Sequence, residues 1–195
     1  DQGGNENAQI FYRDLTTRTT RRLTDGQSRN ASAVWSRDGR RVAYTSTARD
    51  GVSYDLYIAD VLENAAPRFV MNGMSKTWFA LDWSVDDSKL LVLNYRSINE
   101  SYLFIADAIT GSLTPVDAGN NRVGIRAARF APDGRYIYLI SDRDSEFARL
   151  RRVDTVLDEV AILTERIPWD IASFDVSPDG RYVAFVANVD GYSRL

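Results

Sequence analysis

The chain of 195 residues contains no cysteine and no histidine. Without cysteine there are no disulfides, no thiolate nucleophile and no cysteine-based zinc site. That absence does not choose a compartment, since a periplasmic protein can also lack cysteine, and the localisation stays open between bacterial cytoplasm and periplasm. Without histidine, Ser–His–Asp and Cys–His catalysis are excluded, as is every histidine metal site. No stretch approaches the roughly 18 apolar residues of a membrane span. The opening segment Asp1 to Asn7 has neither the basic nor the apolar part of a signal peptide. An excess of one charge is missing too: 24 Lys and Arg against 27 Asp and Glu leave a net charge of −3. There is thus no electrostatic case for nucleic acid or an anionic membrane as partner. The cluster Arg18, Arg21, Arg22 is broken by threonines and reads as a solvated strand face. A G-x-S-x-G elbow and a Gly-rich phosphate loop are both lacking. Gly26-Gln27-Ser28 and Gly73-Met74-Ser75 have no second Gly, and Gly3-Gly4 stands alone. No catalytic residue, metal site or cofactor is therefore assigned.

What is present is an internal repeat. Hydrophobic residues make up 44% and charged residues 26%, the balance of an ordinary globular chain. Four segments align: Ala33–Tyr44, Leu81–Val92, Ala128–Leu139 and Phe174–Phe185. A bulky residue before the turn falls at Trp35, Trp83, Phe130 and Val176, in steps of 48, 47 and 46. A second marker, an apolar run closed by Asp, falls at Asp14, Asp60, Asp107 and Asp154, in steps of 46, 47 and 47. Asp38-Gly39, Asp133-Gly134 and Asp179-Gly180 supply the positive φ of a tight hairpin, because Gly carries no Cβ. Asp87-Ser88 replaces that glycine in the second repeat and predicts a strained turn or one of another type. The flanking runs are rich in β-branched and aromatic residues and read as buried strands. Val153 to Leu163 comes nearest to a helical period, but the repeat phase overrides it.

Each repeat reads as four strands, in the first complete one Ala31–Ser36, Arg41–Ser46, Asp55–Asp60 and Arg68–Met71. Four antiparallel strands in such a repeat make a β-propeller blade, which needs neighbouring blades to cover its faces. The expected fold is all-β, one partial propeller domain over 1–195. It divides into an outer half blade at 1–26, blades at 31–72, 78–117 and 125–165, and an inner half blade at 171–195. The last half blade is read as ending in the loop Asn188–Arg194, for sixteen strands in all. Two arrangements follow. The terminal pairs combine into one composite blade of a four-bladed ring, or the chain belongs to a propeller with more blades, seven or eight. The second is the preferred expectation. Open edges would then invite pairing, including a homodimer in which two copies complete each other's split blades.

Few side chains offer chemistry. Asp142, Asp144 and Glu146 alternate after a strand, but lack the glycine and closing Glu of a calcium loop and read as a solvated hairpin. Glu6 is a candidate contact for a substrate amine, with a plain loop as the competing reading. Trp78 and Trp169 precede inner strands and are candidates to grip a peptide or partner, with core filling as the alternative. Trp35 and Trp83 occupy repeat positions and are expected in the core.

Trp35-Ser36-Arg37-Asp38-Gly39-Arg40-Arg41-Val42-Ala43-Tyr44 and Ser177-Pro178-Asp179-Gly180-Arg181-Tyr182-Val183-Ala184-Phe185, with the strand Leu56-Tyr57-Ile58-Ala59-Asp60, resemble the WD40-like blades of TolB-type propellers and of the prolyl oligopeptidase family. Asp1-Gln2-Gly3-Gly4-Asn5-Glu6 ahead of Gln9-Ile10-Phe11, with Leu23-Thr24-Asp25-Gly26, is similar to a stretch of bacterial acylaminoacyl- and dipeptidyl-peptidases of that family. The resemblance implies a non-catalytic propeller in front of an α/β-hydrolase domain that carries the Ser, Asp and His. In that family the propeller admits short peptides and excludes folded proteins. The implied partners are that hydrolase domain and a peptide substrate. The competing readings are a TolB-like protein-interaction propeller of the bacterial envelope and, weakened by the missing histidine, a propeller lyase or glycosidase.

Overall fold

The computed structural model describes Gly4 and residues 6–63, 65–74, 76–116 and 122–195. The opening residues Asp1, Gln2, Gly3 and Asn5 and the blade boundary at Asp117 lie outside them. All regular structure among the described residues is β, in five antiparallel sheets. A two-stranded sheet pairs β1 (Phe11–Arg13) with β2 (Thr20–Arg22). The next runs β3 (Asn30–Trp35), β4 (Arg41–Ser46), β5 (Asp55–Asp60), β6 (Arg68–Met71). It is followed by β7 (Thr77–Trp83), β8 (Lys89–Ser97), β9 (Glu100–Asp107), β10 (Leu113–Val116). The fourth holds β11 (Ile125–Phe130), β12 (Tyr136–Ser141), β13 (Arg149–Asp154), β14 (Val160–Ile162). The last has β15 (Ile171–Val176), β16 (Val183–Val189) and β17 (Tyr192–Arg194). The order within each sheet follows the chain, so every sheet is an up-and-down meander, and the fold is an arc of β-propeller blades. The stretch with a helical period near Val153 is strand, turn and strand.

Local chemistry explains both repeat markers. In the hairpins after β3, β7 and β15, the Ser36, Ser84 and Ser177 hydroxyls donate to Asp38, Asp86 and Asp179 at 2.5, 2.6 and 2.6 Å. The same hydroxyls accept the backbone N–H of Arg41, Lys89 and Tyr182. Gly39, Gly134 and Gly180 sit at φ of 69°, 72° and 70°, and Asp87 takes the same left-handed place at 56°. The second turn is therefore strained but of the same type. The closing aspartates cap the outer hairpins. Asp14, Asp60, Asp107 and Asp154 each accept the N–H groups two and three residues on, the local bonding that favours Asp in turns. Every inner strand also carries a register shift, between Ala31/Val34, Ala80/Asp82, Ile125/Ala127 and Ile171/Ser173. Such irregularities increase local twist.

The core is a series of slabs between sheets. Leu56, Trp78, Trp83 and Leu90 fill the space between the second and third sheets. Leu91, Phe130, Ile137 and Leu139 fill the next, then Tyr138, Ile140, Leu150 and Phe174. Each such large side chain removed from water contributes about 1.5–3 kcal/mol. A smaller slab, with Leu23, Val42 and Tyr44, joins the two-stranded sheet to its neighbour. Inner strands lie side by side, β3 with β7 and β7 with β11.

Two expectations are corrected. The segment read as a closing loop forms β17, which pairs Val189 with Tyr192 through the Asp190-Gly191 turn, giving seventeen strands. Trp35 is 51% exposed, whereas its repeat counterpart Trp83 is fully buried. Trp35 meets only an edge-on Tyr12 ring at 6.5 Å among the ring contacts, because the two-stranded sheet has no inner strands to cover it.

Candidate functional site

The inner strands β7, β11 and β15 end in turns built around Asp86, Asp133 and Asp179, and there they line a cavity of about 370 Å³. Asp82 of β7, Arg129 of β11 and Asp175 of β15 hold one repeat position on three successive strands and face it together. Arg37 reaches in from the first turn, and Phe130 and Pro178 supply apolar wall. The cavity is therefore a product of the repeat: one strand position, recurring around the arc, brings alternating charges to its inner rim.

The two ion pairs there differ in kind. The Arg37 guanidinium donates to both Asp82 carboxylate oxygens at 2.9 Å and to the Trp83 carbonyl at 3.0 Å. Asp82 also accepts the Phe130 N–H at 2.9 Å, so this carboxylate ties three sheets together. Burial raises its pKa above the ordinary value, outweighing the Arg37 charge that acts in the other direction. Arg129 and Asp175 are 3.5 Å apart with both side chains largely in solvent. The first pair is architectural, and the second is free to rearrange around a ligand.

A second staple lies beside the cavity. The Asp87 carboxylate accepts the backbone N–H of Arg37 at 2.7 Å and of Asp38 at 3.0 Å, across the sheet boundary. This explains why Asp stands where the other repeats have Gly: two part-buried intersheet hydrogen bonds offset the left-handed backbone. Where the neighbouring turn has Pro132 instead, with no N–H to satisfy, the facing residue is Gly180, at which an added Cβ would lie 3.7 Å from that ring.

The three residues singled out from sequence lie at the other end of the inner strands. Trp78 is the second residue of β7 and is buried, its indole N–H donating to the Gly73 carbonyl at 3.0 Å and its ring 5.5 Å from Phe104. In this structure it presents no face to a ligand. Trp169, half-buried, lies in the bend before β15, beside Asp170, which accepts the Ala148 N–H and pairs with Arg126. Glu6 is exposed, with φ at 58°, ahead of β1. They belong to three different sheets, and the structure does not gather them into one site. Asp142 accepts the Gly124 N–H, and among the described residues no three acidic side chains converge as metal ligands. The cavity residues went unnoticed in the sequence, although the exchange of Val34 for Asp82, Arg129 and Asp175 at one repeat position was a visible signal.

Comparison with known proteins supports the fold and adds a direction for function. No family model matches the chain. Dipeptidyl-peptidase 5 of Porphyromonas gingivalis is 25% identical over 74% of this chain and 22% of its own length. The structure of TolB from Acinetobacter baumannii matches 91% of the chain with a TM-score of 0.70 and 20% identity, over 42% of that protein. A TolB-like structure from Agrobacterium tumefaciens matches 94% with a TM-score of 0.71 and 21% identity, over 64% of it. A puromycin-hydrolysing peptidase of Mycobacterium tuberculosis matches 94% with a TM-score of 0.74 and 16% identity, over 32% of its length. The chain thus resembles propellers of the TolB kind and those of peptidases, and spans less than a quarter of the curated relative.

Proposed function

We propose that this chain is a non-catalytic propeller segment of a prolyl-oligopeptidase-type serine peptidase, shaping the access of short peptides to a separate α/β-hydrolase domain. The observation that carries the reading is the cavity at the ends of the inner strands, with Arg129 and Asp175 exposed on its rim. An Arg and an Asp on one small rim complement the two charged ends of a short peptide, and Phe130 offers apolar contact between them. The similarity to dipeptidyl-peptidase 5 supports the same direction. The lack of histidine and of a nucleophile elbow in these 195 residues supports a separate domain as the seat of Ser–His–Asp chemistry.

The test is a titration of the chain with a zwitterionic tripeptide, followed by NMR. The expected result is perturbation of Arg129, Phe130 and Asp175 resonances, with no hydrolysis above buffer. Peptide turnover that survives repurification, or perturbation confined to other faces, would overturn the reading. A second reading, a TolB-like protein-interaction propeller, is favoured by the larger share of a TolB-like structure that the chain covers. The downstream coding sequence separates the two. A G-x-S-x-G after a strand, followed by Asp and His, belongs to the peptidase, and a stop soon after the last blade belongs to the TolB-like module.

A further inference from the structure

Asn72-Gly73 is the single Asn-Gly pair of the chain, and it lies in the link between β6 and β7. Both residues are required where they stand. A Cβ on Gly73 would run into the Tyr54 carbonyl oxygen, so glycine alone fits. The Asn72 side-chain oxygen accepts the Met74 N–H at 2.7 Å and an Arg49 N–H at 3.1 Å, which closes the turn. The pair also carries a chemistry that neither residue has alone. Asparagine is a thermolabile side chain, and a following glycine has no side chain to shield its backbone nitrogen from the asparagine amide carbon.

The reaction open to such a pair is loss of ammonia. The Gly73 nitrogen gives up its proton to water or hydroxide and attacks the Asn72 Cγ. The N–Cγ bond forms, the Cγ–Nδ2 bond breaks, and ammonia leaves with a proton taken back from solvent. One water then opens the cyclic imide at either carbonyl, leaving aspartate or isoaspartate at position 72. Nothing is oxidised or reduced. The fold opposes the first of these steps. The Gly73 N–H donates to the Asp55 carboxylate at 2.7 Å, and Asp55 is wholly buried. A negative charge beside the nitrogen disfavours its deprotonation. Asp55 is itself held by Arg49 at 2.6 Å, the arginine that also holds Asn72. The Gly73 carbonyl accepts the Trp78 indole N–H and the Lys76 N–H, each at 3.0 Å, so Gly73 is tied on both sides.

We propose that Asn72 is a site of spontaneous deamidation gated by the buried Asp55: the modification proceeds only when the Gly73 N–H leaves that carboxylate. Such a release is a local opening of the link, well short of unfolding the chain. Its product acts on the same junction. A new carboxylate at position 72 competes with Asp55 for Arg49. An isoaspartate lengthens the backbone of the link that anchors Trp78 through the Gly73 carbonyl. The inference is independent of the peptide-access reading.

Incubation of the full chain at neutral pH, followed by proteolysis and mass spectrometry, tests it, with the free peptide of residues 69–76 as reference. The expected result is deamidation of Asn72 about tenfold or more slower in the folded chain than in the peptide, the effect of one hydrogen bond to a charged group. Asp55→Ala, with its fold checked by circular dichroism, is expected to recover most of that factor. Asp55→Asn keeps the shape, removes the charge and recovers a smaller part of it, and this variant decides the matter if the alanine variant does not fold. A wild-type chain that deamidates at Asn72 as fast as the peptide overturns the proposal. So does a folded Asp55 variant in which Asn72 reacts as slowly as in the wild type.

Discussion

Trp35 and Trp83 occupy one position of one repeat, and they differ as much as two tryptophans can. Trp83 is fully enclosed, donates its indole N–H to the Val34 carbonyl at 3.1 Å and lies under the Arg41 guanidinium. Trp35 is half in solvent. The residue, its place at the end of an inner strand and the type of turn after it are the same in both; the neighbouring sheet is not. Burial in this architecture is a property of adjacent blades, as expected where single units cannot shield their own faces.

The largest test of that contrast is truncation. Trp83→Ala is expected to cost about 3–5 kcal/mol of stability, the range for large core aromatics. Trp35→Ala is expected to cost under about 1 kcal/mol. Urea denaturation of the two variants measures both, and equal losses would erase the distinction between covered and open faces.

The ion pairs give the next test. Arg37→Ala leaves the mostly buried Asp82 without its guanidinium and is expected to cost about 1–3 kcal/mol. Arg129→Ala, at an exposed pair, is expected to change stability by less than about 0.5 kcal/mol. The same denaturation series decides it.

Asp87 sharpens the comparison further. Asp87→Ala loses both intersheet hydrogen bonds and keeps the left-handed backbone. Asp87→Gly loses the bonds and relieves the backbone, so it should be the milder variant by about 1 kcal/mol. If alanine proves the milder, the turn carries no strain.

The smallest effect concerns acid. The Arg135 hydrogen bond holds Asp154 at about 2, below its ordinary 3.8. A carboxyl depressed in the folded state adds stability above its unfolded pKa and loses it as pH falls through the folded one. That contribution should disappear between about pH 4 and pH 2. Asp154→Asn should flatten that part of the stability curve, read from chemical denaturation at each pH. Asp14, lowered by the Thr17 and Thr16 backbone N–H groups without an arginine, should give a smaller change when replaced by Asn.

Much of the fold was legible because the repeat is written in turn chemistry. Asp38-Gly39 and its counterparts, and the capping aspartates from Asp14 to Asp154, set the hairpins through bonds two or three residues long. β4, β5 and β6 begin and end where their residue patterns placed them. β17 was missed because its residues are all exposed and carry no alternation of burial. The site was far less legible. Trp78 read in one dimension as either a grip for a ligand or core filling, and it is core, packed against Phe104 of its own sheet. The cavity residues Arg37 and Asp82 meet across 45 positions, a separation that turn chemistry does not encode and only the ring-like stacking of sheets brings together.

The most direct measurement of the central claim, that a neighbouring sheet decides what a repeat position buries, is ¹⁹F NMR of the fluorotryptophan-labelled chain in H2O and in D2O. The account predicts a solvent isotope shift at Trp35, which is half in solvent, and none at Trp83, which is fully buried. Equal isotope shifts at the two positions would contradict the account.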